Sequence, residues 1–452
     1  MNPTAQLIQA ECHAPQIIRC NLIDRLLRRA APQIAFFYAR SAGQDVLLAS
    51  LRKVLANFPL VAGTVRSIGR ELCIDCNNNG VPVSVVRHDC TMEWALQNVF
   101  GAARELIVDG IDRKMALSEG CPGMTIRINY FTDGGMVLGI CWHHTLGDMH
   151  TLMSFMKAWS KTSCGESYPA PLVVQNRAAY CADRIPDNGN TISSVRHMGS
   201  IEKGVHRPTP TADATDHQRL VFYFSESELA NMKRALSGAS GERLSMNDVL
   251  CAHMCSIVNA YYGAGQDRSR YMTVLVNSRQ RLNLPDNLLG NFVHGLSVLC
   301  APGQTSSDLA GELRRAVDEL SCKHMNYHAT VRYIAEHGGP AEIDNFVFCP
   351  GREGDYHSNL QIVNSSKFGA YDVKFDDVEP IFFLVGPSSP ATGTWPSVIA
   401  EGWANRGLSF FVTLPAALAA RLVQRDALQK MHEYRAHDDP PPEWALRLPW
   451  IA

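Results

Sequence analysis

Met124-Thr-Ile-Arg-Ile-Asn-Tyr130 runs through Asp133-Gly-Gly135 into Met136-Val-Leu-Gly-Ile-Cys-Trp142, and then into His143-His-Thr-Leu-Gly-Asp148. Met124, Ile126, Ile128 and Tyr130 alternate with Thr125, Arg127 and Asn129, the period-two pattern of a half-buried strand. The glycine pair turns the chain into a second, apolar strand. Met149, Leu152, Met153, Met156 and Trp159 then recur at helical spacing on one face. Two strands feeding a helix imply a layered sheet-and-helix domain.

Upstream, Leu48, Leu51, Leu55 and Phe58 predict a helix over 44–58 that Pro59 stops. Leu72 to Cys76, Asn77-Asn-Asn-Gly80 and Val81 to Val86 predict a hairpin. Downstream, residues 185–216 change to Pro, Asn, Gly, Thr, Ser and Asp, the composition of a crossover between domains. Leu220, Phe222 and Phe224 read as a strand, and Ser225 with Glu228 as a capping box. Ser245 to Asp248 opens another helix, and Met272 to Val276 is a buried strand. An amphipathic helix follows at 309–321, and Leu408, Phe410 and Val412 form a late strand. Residues 415–432 predict one long final helix begun by Pro415. The expected architecture is α/β (α+β): domains at 1–184 and 217–452 joined by a linker at 185–216.

The 452 residues are 46% hydrophobic and 19% charged, with 42 Lys+Arg against 44 Asp+Glu. A net charge of −2 gives no basic footprint for nucleic acid or an anionic membrane. No run of about 18 apolar residues occurs, so no membrane span is expected. Met1 to Pro15 lacks the pattern of a secretory signal, and the C-terminal residues match no lipidation or targeting tail. The 14 cysteines are scattered, unlike a disulfide framework, and read as buried thiols in a reducing cytosol. A cytoplasmic monomer is expected.

Trp142 to Met149 is the sharpest local feature. At a strand-to-helix junction His144 can protrude from a rigid support, and an imidazole with pKa near 6.5 suits proton transfer. The same residues also fit a core histidine beside an N-capping Asp148. A metal site built on His143, His144, Asp148 and His150 is disfavoured, because adjacent strand residues point to opposite faces. Cys73-Ile-Asp-Cys76 lacks a second pair at ligand spacing, so no metal is expected. GxxxxGKS/T, GxGxxG after a strand and GxSxG are all missing.

The sequence resembles the BAHD family of coenzyme-A-dependent acyltransferases. The resemblance rests on Asn21-Leu-Ile-Asp24 to Tyr38, on Leu51 to Gly63 continued by Leu72 to Val81, and on His144-x-x-x-Asp148. Val276-Asn-Ser-Arg-Gln-Arg-Leu282 and Leu289-Gly-Asn291 follow in the family's order. It implies two similar mixed-sheet domains of the chloramphenicol acetyltransferase type with an active-site channel between them. It further implies transfer of an acyl group from acyl-CoA, a cosubstrate and not a bound cofactor, to a hydroxyl or amine of a small natural product.

His144 would be the general base. Asp148 would be held by Arg279 or Arg281, and Asn291, Asn364 and Ser366 are candidate oxyanion donors. A free-standing condensation domain using carrier-bound donors is the alternative, because His143-His144 and Asp148 also fit that relative's motif.

Departures are as informative. Met149 stands where a glycine usually follows the aspartate, and Asn364-Ser-Ser366 aligns with a Thr-Ser-Trp stretch. The DFGWG motif falls in Tyr371 to Pro380, with Lys374 in place of the aspartate. These losses imply a microbial secondary-metabolism branch. Asp376 is expected to replace the lost aspartate on an extended segment and engage an arginine, with Lys374 in solvent.

Overall fold

The computed structural model describes residues 5–69, 71–100, 104–111, 120–197, 217–262, 270–301, 303–348, 359–385, 394–437, 439, 448 and 451. Two six-stranded mixed sheets form its frame. The first runs Gln6–Ile8, Val81–Arg87, Met124–Tyr130, Met136–Trp142, Gln33–Tyr38, Pro380–Val385. Only its second and third strands pair in parallel. The second runs His217–Phe224, Leu408–Pro415, Thr394–Glu401, Asn359–Asn364, Arg270–Asn277, Val293–Cys300, and both neighbours of Asn359–Asn364 are parallel to it. This is the two-domain α/β fold expected from the alternation of elements.

Met124–Tyr130 and Met136–Trp142 pair antiparallel, Met124 opposite Trp142, and the helix Met149–Ser163 follows. Every residue of Met136–Trp142 is buried, so the His143-His144 turn hangs from a strand that cannot shift without disturbing the core. Pro380–Val385, from the C-terminal half of the chain, completes the first sheet. Its Phe383 lies 4.7 Å from Phe36 and its Phe382 5.8 Å from Phe37, ring centre to ring centre. The two halves are interlocked.

Three local readings need correction. Glu71–Cys76 and Val81–Arg87 are not a hairpin: the first pairs with Gln16–Arg19 and Thr64–Ile68 in a separate four-stranded sheet. The turn between them carries the chain from one sheet to the other. Asn78 adopts φ 55° there, and its side chain accepts the Ala10 N–H at 2.8 Å, a partner remote in sequence. The final helix breaks into Ala416–Leu422 and Arg425–Met431, with Gln424 extended between them. Ser225 does cap the Glu228 N–H at 3.1 Å. However, the Glu228 carboxylate does not reach back, being taken by His432 at 2.8 Å and Arg435 at 2.9 Å.

Of the 185–216 stretch, residues 198–216 lie outside the described residues. Val195–His197 pairs with Phe346–Phe348, and Ser194 N–H donates to Thr330 Oγ1 at 2.9 Å. Cys73 and Cys76 are buried thiols, Cys76 pushed up to about 12 by burial, whereas Cys12, Cys164 and Cys322 are exposed. Among the described residues no helix is long and apolar enough to cross a membrane.

Candidate active site

His144 follows the end of the central strand of the first sheet. Its N–H donates to Ala30 O at 2.9 Å, and the His143 N–H donates to Gly123 O at 2.8 Å. The Trp142 indole donates to Gly147 O at 2.8 Å, pinning the turn to the strand that launches it. A Cβ on Gly147 would stand 2.6 Å from the Thr151 side chain, so only glycine leaves Thr151 in place.

Asp148 is 2% exposed and caps the following helix, accepting the Thr151 N–H at 3.1 Å. Its carboxylate also forms a two-point pair with Arg279, Oδ2 to Nη1 at 2.7 Å and Oδ1 to Nη2 at 3.1 Å. Phe292 N–H donates to Oδ2 at 2.9 Å. Arg279, fully buried, spends its remaining N–H groups on Leu288 O, Gly290 O and Asn277 Oδ1. Burial pushes the Asp148 carboxyl up, but the Arg279 charge and these hydrogen bonds outweigh it and hold the group below its ordinary value. Arg281 is not the partner: its Nε donates to Val317 O. The capping aspartate and the arginine-held aspartate read from the sequence are one and the same group.

The side of His144 away from Asp148 is equally built. Asn291 donates its amide N–H groups to Asp24 Oδ1 at 2.7 Å and His144 O at 2.8 Å, which turns its oxygen to His144 Nδ1 at 3.1 Å. An amide oxygen only accepts, so the network assigns the proton of the neutral imidazole to Nδ1 and leaves the Nε2 lone pair without a partner among the described residues. Asp24 in turn pairs with Arg177 at 3.2 Å, both buried. Arg177 also donates to Thr145 O and Leu146 O at 2.9 and 2.8 Å, fixing the backbone just after His144.

Burial pushes the His144 imidazole down from its ordinary value; hydrogen bonds and the charges of Asp148 and Asp24 push the other way without reversing it. His143 lies on the opposite side, buried, its Nδ1 accepting the Thr145 N–H at 3.3 Å and its pKa pushed down to about 4. The strand ends at Trp142, so the two histidines stand in the turn after it, and of the two only His144 lines the cavity between the two halves. Among the described residues no group of three His, Cys, Asp or Glu side chains comes together to hold a metal ion.

His144 and Asn291 line a cavity of about 480 Å³ between the halves. Its walls come from the N-terminal helix Leu22–Leu26, the strands Arg270–Asn277 and Val293–Cys300, and the stretch 324–330. The three oxyanion candidates fare poorly. Both N–H groups of Asn291 are committed, to Asp24 and to His144 O, which leaves none for an oxyanion. Asn364 donates to Asn247 Oδ1 at 2.7 Å and accepts from Ser366, and neither Asn364 nor Ser366 lines this cavity. Asp24 and Arg177 carry no motif that marks them as site residues. Asp24 lies within the segment Asn21–Tyr38 that carries family resemblance, and Arg177 has no local signature at all.

The segment at 371–380 is also not extended. Phe375 and Val378 bond to each other across a tight turn whose Asp376 and Asp377 sit at φ 49° and 57°. Aspartate tolerates that left-handed conformation better than most residues, which is how the turn survives without glycine. Asp376 Oδ2 accepts the Gly43 N–H at 2.7 Å, at the start of helix Gln44–Leu55, and not an arginine. Lys374 is half exposed and pairs with Glu379 at 2.5 Å.

The sequence profile of the Transferase family matches residues 26–425. Vinorine synthase from Rauvolfia serpentina is 25% identical over 353 residues, 71% of this chain and 76% of that one. Its crystal structure superposes with a TM-score of 0.69 at 20% identity, covering 94% of this chain and 97% of that one. Tryptamine hydroxycinnamoyltransferase 2 from Oryza sativa subsp. japonica is 25% identical over 395 residues, 83% of this chain and 85% of that one. The TRI101 structure from F. graminearum, complexed with coenzyme A and T-2 mycotoxin, superposes with a TM-score of 0.71 at 15% identity. It covers 91% of this chain and 98% of that one. With a profile match spanning both sheets and the site between them, this chain belongs to the Transferase family, the BAHD acyltransferases.

Proposed function

We propose that the protein moves an acyl group from an acyl-CoA thioester to a hydroxyl or amine of a small natural-product acceptor, with His144 as general base. The observation that carries this reading is the Asp24–Asn291–His144 chain, which leaves Nε2 basic on a residue lining a ligand-sized cavity. The acceptor hydroxyl gives its proton to Nε2 as its oxygen attacks the thioester carbonyl. The tetrahedral intermediate collapses by expelling the thiolate, which takes the proton from the imidazolium. A thiol of pKa about 8.5 leaves readily, so no covalent enzyme intermediate is needed. Positioned general-base catalysis supplies about 10²–10⁴ in rate.

Asp148 takes no part in proton transfer on this account. Its lone pairs are spent on Arg279, Phe292 and Thr151, and its role is to join the His144 turn to the second domain. The enzyme works as a cytoplasmic monomer with no resident cofactor or metal.

The test is a donor screen. Purified protein is given acetyl-, malonyl- and aroyl-CoA, and the same acyl groups on a carrier protein, with a panel of alcohols and amines. Acceptor-dependent release of free CoA thiol supports the proposal. Turnover confined to carrier-bound donors overturns it in favour of a condensation-type enzyme.

A further inference from the structure

The cavity beside His144 is lined by uncharged and histidine side chains, its apolar surface interrupted by polar groups such as Asn21, Ser278, Asn326 and Gln361. On the paired strands Arg270–Asn277 and Val293–Cys300, Thr273 lies opposite Ser297 and Leu275 opposite Gly295, and all four line the cavity. The Thr273 and Ser297 hydroxyls bond to each other at 3.0 Å, which uses part of their polarity within the wall. Ile23, Leu27, Leu296 and Phe292 add apolar surface.

Among the described residues the lining contains no Asp, Glu, Lys or Arg. Of its histidines, His144 and His294 are pushed down by burial, His294 to about 4, and His324 lies 3.8 Å from Glu319. An ammonium or carboxylate placed there would give up hydration for neutral hydrogen-bond partners and find no Asp, Glu, Lys or Arg among the described lining residues, a cost that disfavours it against a neutral group. The phosphates of a coenzyme A nucleotide meet no cationic Lys or Arg among the described lining residues either, which favours the acceptor as the occupant.

Gly295 is the position where room has been left. It is not among the residues with left-handed backbone, so its conformation does not require glycine. A Cβ there would meet Leu275 Cδ2 at 3.7 Å and Thr273 Cγ2 at 3.8 Å, ordinary contact distances. The fold would accept a side chain at this position. A longer one would have to extend into the cavity.

We propose that the acceptor is a neutral, largely apolar alcohol, and that Gly295 determines how bulky an acceptor can reach His144. The inference names the substrate class of the His144 site and rests on that assignment. It is tested by binding, so that it stands or falls apart from catalysis. Dehydroabietyl alcohol, dehydroabietylamine and dehydroabietic acid share one tricyclic skeleton and differ in charge. Calorimetric titration into the full chain should show the alcohol binding about tenfold or more tighter than the ammonium or the carboxylate.

Gly295→Leu should weaken alcohol binding about tenfold or more while melting like wild type. Gly295→Ala should fall between the two, and it carries the steric test if the leucine variant fails to fold. Equal binding of a charged member, no binding of the alcohol, or wild-type binding by the Gly295 variants overturns the proposal. If the alcohol binds yet is acylated from no CoA donor, the catalytic reading fails while the cavity assignment holds.

Discussion

Replacing Asp148 by asparagine keeps the shape and removes one charge. In the wild type its carboxylate takes two N–H groups of Arg279, the Phe292 and Thr151 N–H groups, and the Thr151 hydroxyl. An amide presents a donor to one of these donors and leaves a fully buried guanidinium without its counter-charge. Breaking a buried pair from one side costs about 3–5 kcal/mol. Unfolding entropy of about 2.1 cal/mol/K per residue over 452 residues is roughly 1 kcal/mol/K, so cooperative unfolding should shift by about 3–5 °C. If one half unfolds alone the shift roughly doubles.

The sign with pH follows from the depressed carboxyl. Its stabilisation is present above the unfolded value near 4 and is lost as pH falls through the lower folded value. The gap between wild type and Asp148→Asn should therefore be constant from pH 8 to 5 and close only in stronger acid. Differential scanning calorimetry reads both effects. A variant that melts with wild type but has lost turnover would refute the structural role and make Asp148 part of the chemistry.

Asn291→Ala removes the acceptor that fixes the His144 proton on Nδ1, and should lower kcat by less than His144→Ala does, with little change in KM, measured by steady-state kinetics. Burial pushes His144 below its ordinary value of about 6.5, so kcat/KM should be level above pH 6.5 and fall only in milder to stronger acid, as a pH–rate profile would show. Asp376→Ala loses one capping contact at an exposed site, which should cost about 1 kcal/mol with turnover per folded molecule unchanged. Gly147→Ala pushes a Cβ against Thr151 and should cost about 1–3 kcal/mol in thermal melts, with reduced turnover.

What was legible in the sequence was local. The strands Met124–Tyr130 and Met136–Trp142 and the double-glycine turn between them are short-range patterns, and the structure keeps them, although the first strand is buried on both faces save for Arg127 and is not half-buried as its alternation implied. The hairpin misreading at 72–86 has a physical cause. Asn-Asn-Asn-Gly is good turn chemistry, but the strands it joins find partners elsewhere, and Asn78 spends its side chain on Ala10. The split at Gln424 is equally invisible, because Ala416 to Met431 is helix-forming throughout.

The site was half legible. His144 and Asp148 sit in one motif, and the arginine segment narrowed Asp148's partner to two residues. Asp24 and Asn291 reach the His144 turn from more than a hundred residues away and Arg177 from further along the same half, through contacts that no local pattern encodes. Lys374 pointed to a lost charge, yet the replacement was an N–H cap at Gly43 and not another ion pair.

The central claim is that one imidazole, His144, removes the acceptor's proton. Paired His144→Ala and His143→Ala variants, each checked for an unchanged melting profile, measure this most directly through acceptor-dependent CoA release. The account predicts a loss of about 10²-fold or more for His144→Ala and near-wild-type turnover for folded His143→Ala. Full turnover by His144→Ala, or equal loss in the two variants, would contradict it.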